Sequence, residues 1–511
     1  MSWIKEITLE VPSLSDNTAD VDRLRRYLSK TLKWEGPIEI DLDLVTKIPD
    51  FFRQNDFKFE CCMFRDRSKI VITGIRERGS SFLGVAVDLG TTTYVIRIID
   101  LKSKETLLEH SFINPQEKIG ADILTRIHFA TNKGVKELQD LIVDDINIRL
   151  KEMCDSLNRS VKDVFNMAVA GNTTMTHLFL GIDPKWIIRE PYIPAVNGID
   201  LIKAKDINID LSPNSRIFCF PNIGSYFGGD LIAGILYTGI HRKEEISILV
   251  DVGTNAEVVL GNKDWLVACA GAAGPALETG MSKIGKRAGP GIIDRIRYDP
   301  DKKRFEYHTI GDLPPVGICG SGVIDLAATM FRWGLIDFRG KFVPDKAPSL
   351  FKELDGIWHI VIVPSEESGT KEDLLISQPE IDSLIRSKAA MYTILETITS
   401  TVGITFEDIK NFYVGGTFGN YIDPKSAIFI GMLPDISIER FKGMGNTSLE
   451  GATLILKEPD LMEEIWEIQR KITYIELNVN QEFMMKFSAA KFLPHTDKER
   501  FPSVMSFFKN T

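Results

Sequence analysis

Residues 85–94 read VAVDLGTTTY and residues 248–258 read ILVDVGTNAEV. Each stretch places Asp-x-Gly-Thr, then Thr or Asn, between apolar runs. The chemistry this pattern supports is phosphate binding. Gly90 lets the backbone turn tightly and approach a ligand without a Cβ in the way. Successive N–H groups and the hydroxyls of Thr91, Thr92 and Thr93 then form a cradle for phosphate oxygens. Asp88, at the strand end, holds Mg²⁺ directly or through water, because Mg²⁺ gives up its hydration shell reluctantly. Asp251, Gly253, Thr254 and Asn255 offer the same chemistry a second time. One such turn is an ordinary hairpin. Two copies in one chain predict two related halves that share a nucleotide. A third glycine loop, Tyr413-Val-Gly-Gly-Thr-Phe-Gly-Asn420, follows a strand pattern downstream of both. Its Gly415, Gly416 and Gly419 permit close backbone approach to an adenosine.

The elements that must position these residues are readable in outline. Val85, Val87, Val95, Ile96 and Ile98 fit the arms of a β-hairpin with the first turn at its tip. GADILTRIHFATNKGVKELQDLIVDDINIRLKEMCDSL has helical periodicity. FNMAVAGNTTMTHLFLG and IFCFPNIGSYFGGDLIAGILYTGI each run strand, polar turn, helix. Upstream, residues 1–78 read as a separate small α+β domain, closed by the charged, small linker ERGSS at 77–81. In it Val21, Leu24, Tyr27, Leu28 and Leu32 recur at helical spacing, with Ser15 or Asn17 as the expected cap. The chain therefore divides into 1–78, 83–245 and 246–511, an α/β protein of two linked halves behind a small domain.

Composition narrows the class of function. The 511 residues carry 61 basic and 71 acidic side chains, a net charge of −10, which disfavours nucleic acid as a main partner. No secretory leader and no apolar run long enough for a membrane span is visible, so cytoplasm is the expected compartment. The cysteines, Cys61, Cys62, Cys154, Cys219, Cys269 and Cys319, lack the close spacing of a cluster motif, and read as buried thiols. No iron–sulfur cluster is expected in this chain. His128 and His177 are not paired at metal spacing. Asn172, Thr173 and Thr174 read equally as a partner or nucleotide sensor and as a helix cap. Glu278, Arg287 and the basic run KIGKR are nucleotide contacts or solvated surface.

The order of two phosphate turns and one late glycine loop resembles the superfamily of acetate and sugar kinases, actin and the large heat-shock chaperones. That resemblance implies two ribonuclease-H-like, actin/kinase-type subdomains closing on Mg-ATP. It also implies an acidic residue on a helix shortly before the second turn. Asp230, in GSYFGGDLIAGIL, matches that position and would orient an attacking or metal-bound water. A helix cap is its other reading. Asp230 and Asp251 are thus the catalytic candidates, and Asp88 and Asp251 the metal candidates.

Seven blocks in order, NPQEKIGADILTRI, AGNTTMTHLFLG, PNIGSYFGGDLIAGIL, ACAGAAGPALETG, ICGSGVIDL, VGGTFGNYIDPKSAIFIGMLP and GNTSLEGA, are similar to one branch of that superfamily. The branch is the ATP-dependent reductive activators of corrinoid proteins. The resemblance implies ATP and Mg²⁺ as cofactors and a corrinoid protein of a methyltransferase system as partner. It implies reduction of cob(II)alamin to cob(I)alamin, and a homodimer. Members of the branch often carry an iron–sulfur domain ahead of the activator region. This chain begins at the linker-like ITLEVPS, so its electrons are expected from a separate ferredoxin-like protein. A small-molecule kinase and a nucleotide-dependent protein-binding switch without a redox role remain the alternatives.

Overall fold

In the computed structural model the described residues are 2–253, 256–271, 283–416, 419, 422–477 and 481–510. They form two compact units. The first contains Met1–Tyr237 and Thr447–Lys471, and the second Thr238–Asn446 and Ile472–Thr511. Thr254 and Asn255 of the second turn lie outside the described residues, as does Glu278.

The first unit is built on a six-stranded sheet. From edge to edge its strands are Thr106–Ile113, Thr93–Asp100, Leu83–Leu89, Val164–Gly171, Arg216–Cys219 and Ile202–Lys203. The expected hairpin is present: Val85 faces Ile98, Val87 faces Ile96 and Asp88 faces Val95 in antiparallel register. On its other side Leu83–Leu89 runs parallel to Val164–Gly171, which pairs Asp88 with Ala170. Both central strands are apolar at nearly every position because helices cover both faces. One cover is the helix Lys136–Ser156, which buries Leu138, Ile142, Ile146, Leu150 and Met153 at helical spacing. Another is Thr447–Lys457, far downstream in sequence. It is fixed by Arg97, which donates to Glu450 at 2.7 Å and to the Thr453 hydroxyl at 2.9 Å. The segment 447–471 thus belongs to the first compact unit, although in sequence it falls inside the expected 246–511 half.

The small N-terminal domain has a four-stranded sheet, in the order Ile4–Thr8, Lys58–Arg65, Ile70–Arg76, Ile38–Ile40. The helix Asp20–Leu32 buries Leu24 and Leu28 on it, with Val21, Tyr27 and Leu32 partly buried alongside. The helix cap corrects the expectation. The cap position is Ala19, which makes no side-chain bond, so neither Ser15 nor Asn17 serves. Asp20 and Asp22 in the first turn complement the positive end of the helix instead. The domain is also less separate than the sequence suggests. Asn166, buried in the large sheet, donates to the Met63 carbonyl at 2.9 Å and accepts from the Thr73 hydroxyl at 3.0 Å. Arg76 pairs with Asp163 beside these contacts. A polar amide buried with both ends satisfied is a fixed joint, and the small domain is part of the first compact unit.

The second unit repeats the arrangement. Its six-stranded sheet runs Phe441–Gly445, Asn411–Gly415, Ser247–Val252, Ala256–Gly261, Leu266–Gly271, Ile472–Ile475. Here too the strand leading into the turn is central. Ser247–Val252 has an antiparallel hairpin partner on one side and a parallel strand on the other. The helix Gln378–Thr401 buries Ile381, Leu384, Ile394, Leu395 and Ile398 in the core of this unit.

Asp325, on the helix Gly320–Arg332, is largely buried in the same unit, and its Oδ1 has no partner. Burial pushes its carboxyl up to about 6, with Asp423 adding to the rise and Ser426, the Ile296 amide and Arg295 opposing it. Below about pH 4 both folded and unfolded states are protonated. Between about pH 4 and 6 the unfolded chain ionises first, so stability falls as pH rises. Asp325→Asn is therefore expected to stabilise the protein by about 2 kcal/mol above pH 6 and by little at pH 4. Melting temperatures of the two proteins from pH 4 to 8 test this; parallel curves would refute it.

Candidate functional site

Asp88 lies one residue before the end of the central strand of the first unit, and Gly90–Thr92 form the turn to the next strand at Thr93. A Cβ on Gly90 would overlap the Thr93 carbonyl, so the turn is as tight as the sequence implies. The parallel strand ends beside it in Gly171-Asn172. Asn172 accepts from the Met175 N–H at 2.9 Å, capping the helix Thr173–Leu180. It also donates to the Thr91 hydroxyl at 3.1 Å. It is therefore both helix cap and turn contact, two roles the sequence left as alternatives.

Asp230 sits in the first turn of the helix Gly229–Thr238. Its Oδ1 accepts from the Leu231 N–H at 2.8 Å and lies 2.7 Å from where a Cβ on Gly228 would stand. That same Cβ would overlap Asn172 and approach the Gly171 carbonyl at 2.9 Å. The fold thus gathers Asp88, the Gly90–Thr93 turn, Asn172 and Asp230 at one end of this sheet.

In the second unit Asp251 lies one residue before the end of its strand, Gly253 follows, and Gly415 is the parallel-register neighbour of Asp251. Gly416 comes next, with φ +75°. A Cβ there would stand 2.9 Å from Asp251 Oδ1 and 3.1 Å from the Val252 carbonyl. Gly419 closes on the Val414 carbonyl. The described parts of the second turn and of the late glycine loop, separate motifs in sequence, lie side by side in this unit.

Register exposes a correspondence that the sequence reading missed. Asp88 pairs with Ala170 as Asp251 pairs with Gly415. Gly171 in the first unit therefore occupies the place of Gly416 in the second. The internal repeat extends beyond the turns to the parallel neighbour strand of each half, where AVAGN and YVGGT share one valine and one glycine.

All six cysteines are buried and unbridged. Burial pushes the thiols of Cys62 and Cys219 up to about 12 and Cys154 to about 11, which disfavours the thiolate needed for metal binding. Among the described residues no three His, Cys, Asp or Glu side chains converge as a metal-binding group. Among them, too, no helix is long and apolar enough to cross a membrane.

Comparison with known proteins agrees with this architecture. A family model described as the C-terminal domain of RACo, the ASKHA domain, matches residues 245–505. The RACo middle region matches 83–243 and the RACo linker region 3–79. The chain is 30% identical to a corrinoid activation enzyme, RamQ, of Eubacterium limosum, over 82% of this chain and 73% of that protein. It is 26% identical to a [Co(II) methylated amine-specific corrinoid protein] reductase of Methanosarcina barkeri, over 76% of this chain and 73% of that one. A solved structure of a reductive activator for corrinoid, iron–sulfur protein superposes with a TM-score of 0.90 at 37% identity, covering 99% of this chain and 81% of that one. The chain belongs to the RACo family.

Proposed function

We propose that this protein is an ATP-dependent reductive activator of a corrinoid protein in a methyltransferase system. ATP hydrolysis is coupled to the one-electron reduction of an inactive cob(II)alamin to cob(I)alamin in the partner. The observation that carries this reading is the likeness, over 99% of the chain, to a solved reductive activator. The repeated acid-tipped turns support its nucleotide dependence. In this reading Asp88, Gly90, Thr91, Thr92 and Thr93 hold phosphate from the first unit, and Asp251, Gly253, Thr254 and Asn255 from the second. Gly415, Gly416 and Gly419 flank the adenosine. Asp88 and Asp251 would hold Mg²⁺, which supplies charge neutralisation of the phosphates when bound. Asp230, held beside the first turn, orients the attacking water. Electrons come from a separate ferredoxin-like protein. A cytoplasmic homodimer completes the reading.

The test is anaerobic optical spectroscopy of the protein with a cob(II)alamin-bearing corrinoid protein and a reduced ferredoxin. Cob(I)alamin is expected to appear with ATP and not without it, and to fail with Asp230→Asn. Partner binding that responds to ATP without any cob(I)alamin would replace the activator by a protein-binding switch. Phosphate transfer to a small acceptor with no partner present would replace it by a kinase.

A further inference from the structure

Behind the first turn lies a buried cation that the reading above does not use. Arg126, on the helix Ile123–Lys133, has no exposed surface. Its Nε donates to the Gly120 carbonyl at 2.8 Å, one terminal nitrogen to Gln116 Oε1 at 3.0 Å, and the other to the Thr91 carbonyl at 2.7 Å. These acceptors are neutral, as is the Met175 Sδ, which accepts at 3.2 Å from the same nitrogen as Gln116. Glu117 and Asp122 act on the guanidinium only through space, and both are exposed. Burial pulls its pKa down to about 10, so it stays charged at neutral pH. A buried, uncompensated charge is costly and calls for a counter-charge.

The neighbouring carbonyls of the turn are held in the same way. Asn114 Nδ2 donates to the Gly90 carbonyl at 2.9 Å, and the Asn114 N–H to the Thr92 carbonyl at 2.9 Å. Asn114 is itself fully buried. Three successive carbonyls, of Gly90, Thr91 and Thr92, are thus engaged by donors from the segment 114–126. Each shares a peptide group with the next residue's N–H, and a donor on the oxygen polarises that N–H. Among the described residues the N–H groups of Thr91 and Thr92 donate to no protein acceptor. A row of polarised, unengaged amides backed by a buried positive charge is an anion site built in advance.

We propose that Arg126, with Asn114, is a positioning residue that holds and polarises the Gly90–Thr92 turn so that its amides bind the polyphosphate of a nucleotide. The inference rests on the nucleotide reading given above and assigns a role to the NPQEKIGADILTRI block. Arg126 touches no ligand itself; it acts through the Thr91 peptide.

The experiment is calorimetric titration of the full chain with adenosine, AMP, ADP, ATP and inorganic tripolyphosphate. Wild type, Arg126→Lys, Arg126→Met and Asn114→Ala are compared, each checked for fold by near-ultraviolet circular dichroism. For Arg126→Met, ATP and tripolyphosphate affinity is expected to fall roughly tenfold to a hundredfold, with adenosine affinity unchanged. Arg126→Lys, which keeps the charge but not the fork, should recover part of the loss. Asn114→Ala removes the Nδ2 donor to the Gly90 carbonyl, keeps the backbone N–H to Thr92 and leaves the buried charge in place; it should show a phosphate-selective loss of the same kind. It serves alone if Arg126→Met does not fold. Equal losses for adenosine and ATP, or no loss in a folded variant, would overturn the inference while leaving the nucleotide site standing. A wild-type protein that binds none of the five ligands would overturn the nucleotide reading itself.

Discussion

Asp251→Asn is expected to lower ATP turnover by roughly a hundredfold or more, about 2.8 kcal/mol of transition-state stabilisation. The fold should be unaffected. Asn is nearly isosteric with Asp, so the packing against Gly416 is retained and only the charge is lost. That charge is what a divalent cation on a polyphosphate requires, since neutral amides bind Mg²⁺ poorly beside carboxylates and water. Asp251 is held in a six-stranded sheet, with register neighbours on both sides. The side chain therefore stays in place when its charge is removed, and the loss reports chemistry rather than collapse. Steady-state hydrolysis measured across a Mg²⁺ titration decides the point. The variant should need more Mg²⁺ and still fall short of wild-type turnover at saturation. Wild-type turnover in Asp251→Asn and again in Asp88→Asn would remove both residues from the phosphate site.

Much of this was legible in the sequence because the turns are local. Short continuous apolar runs on either side of Asp88 and Asp251 marked the strands that flank each turn, since a strand covered on both faces is apolar at nearly every position. The helix Asp20–Leu32 was equally visible from its apolar spacing, although its cap was not. Caps depend on which residue leaves helical geometry first, and here Ala19 does so with two acids following. What the sequence could not give is what parallel pairing brings together. Asp251 and Gly416 are adjacent only because Ser247–Val252 and Asn411–Gly415 run side by side. Asn172 reaches Thr91 for the same reason in the first unit. The role of Arg126 was hidden for a different reason. An arginine in a helical pattern reads as solvated surface, and only its complete burial against neutral acceptors sets it apart. Likewise nothing in GNTSLEGA announces that its helix covers the first sheet through Arg97.

Gly416→Ala is expected to damage both the stability and the turnover of the second unit, and its damage divides into two parts. Any L-residue at φ +75° pays for the left-handed backbone, about 1–2 kcal/mol. The added Cβ would also press on Asp251 Oδ1 at 2.9 Å and on the Val252 carbonyl at 3.1 Å. Neither can yield freely: the carbonyl belongs to the central strand, and the carboxylate is the proposed metal ligand. The second part adds roughly 1–3 kcal/mol of overpacking and displaces Asp251. Gly403→Ala separates the two. Gly403 has φ +72° in the same unit, but a Cβ there meets nothing within 4 Å. It should lose stability by the backbone cost alone and keep wild-type ATP turnover. Gly416→Ala should lose more stability in urea unfolding and at least about tenfold in ATP turnover, since a carboxylate moved off its position loses much of its electrostatic effect. If the two variants lose the same stability and both keep full turnover, the glycine loop and the second turn do not act as one site. If only Gly416→Ala loses turnover, the glycine is there to let the loop close on Asp251.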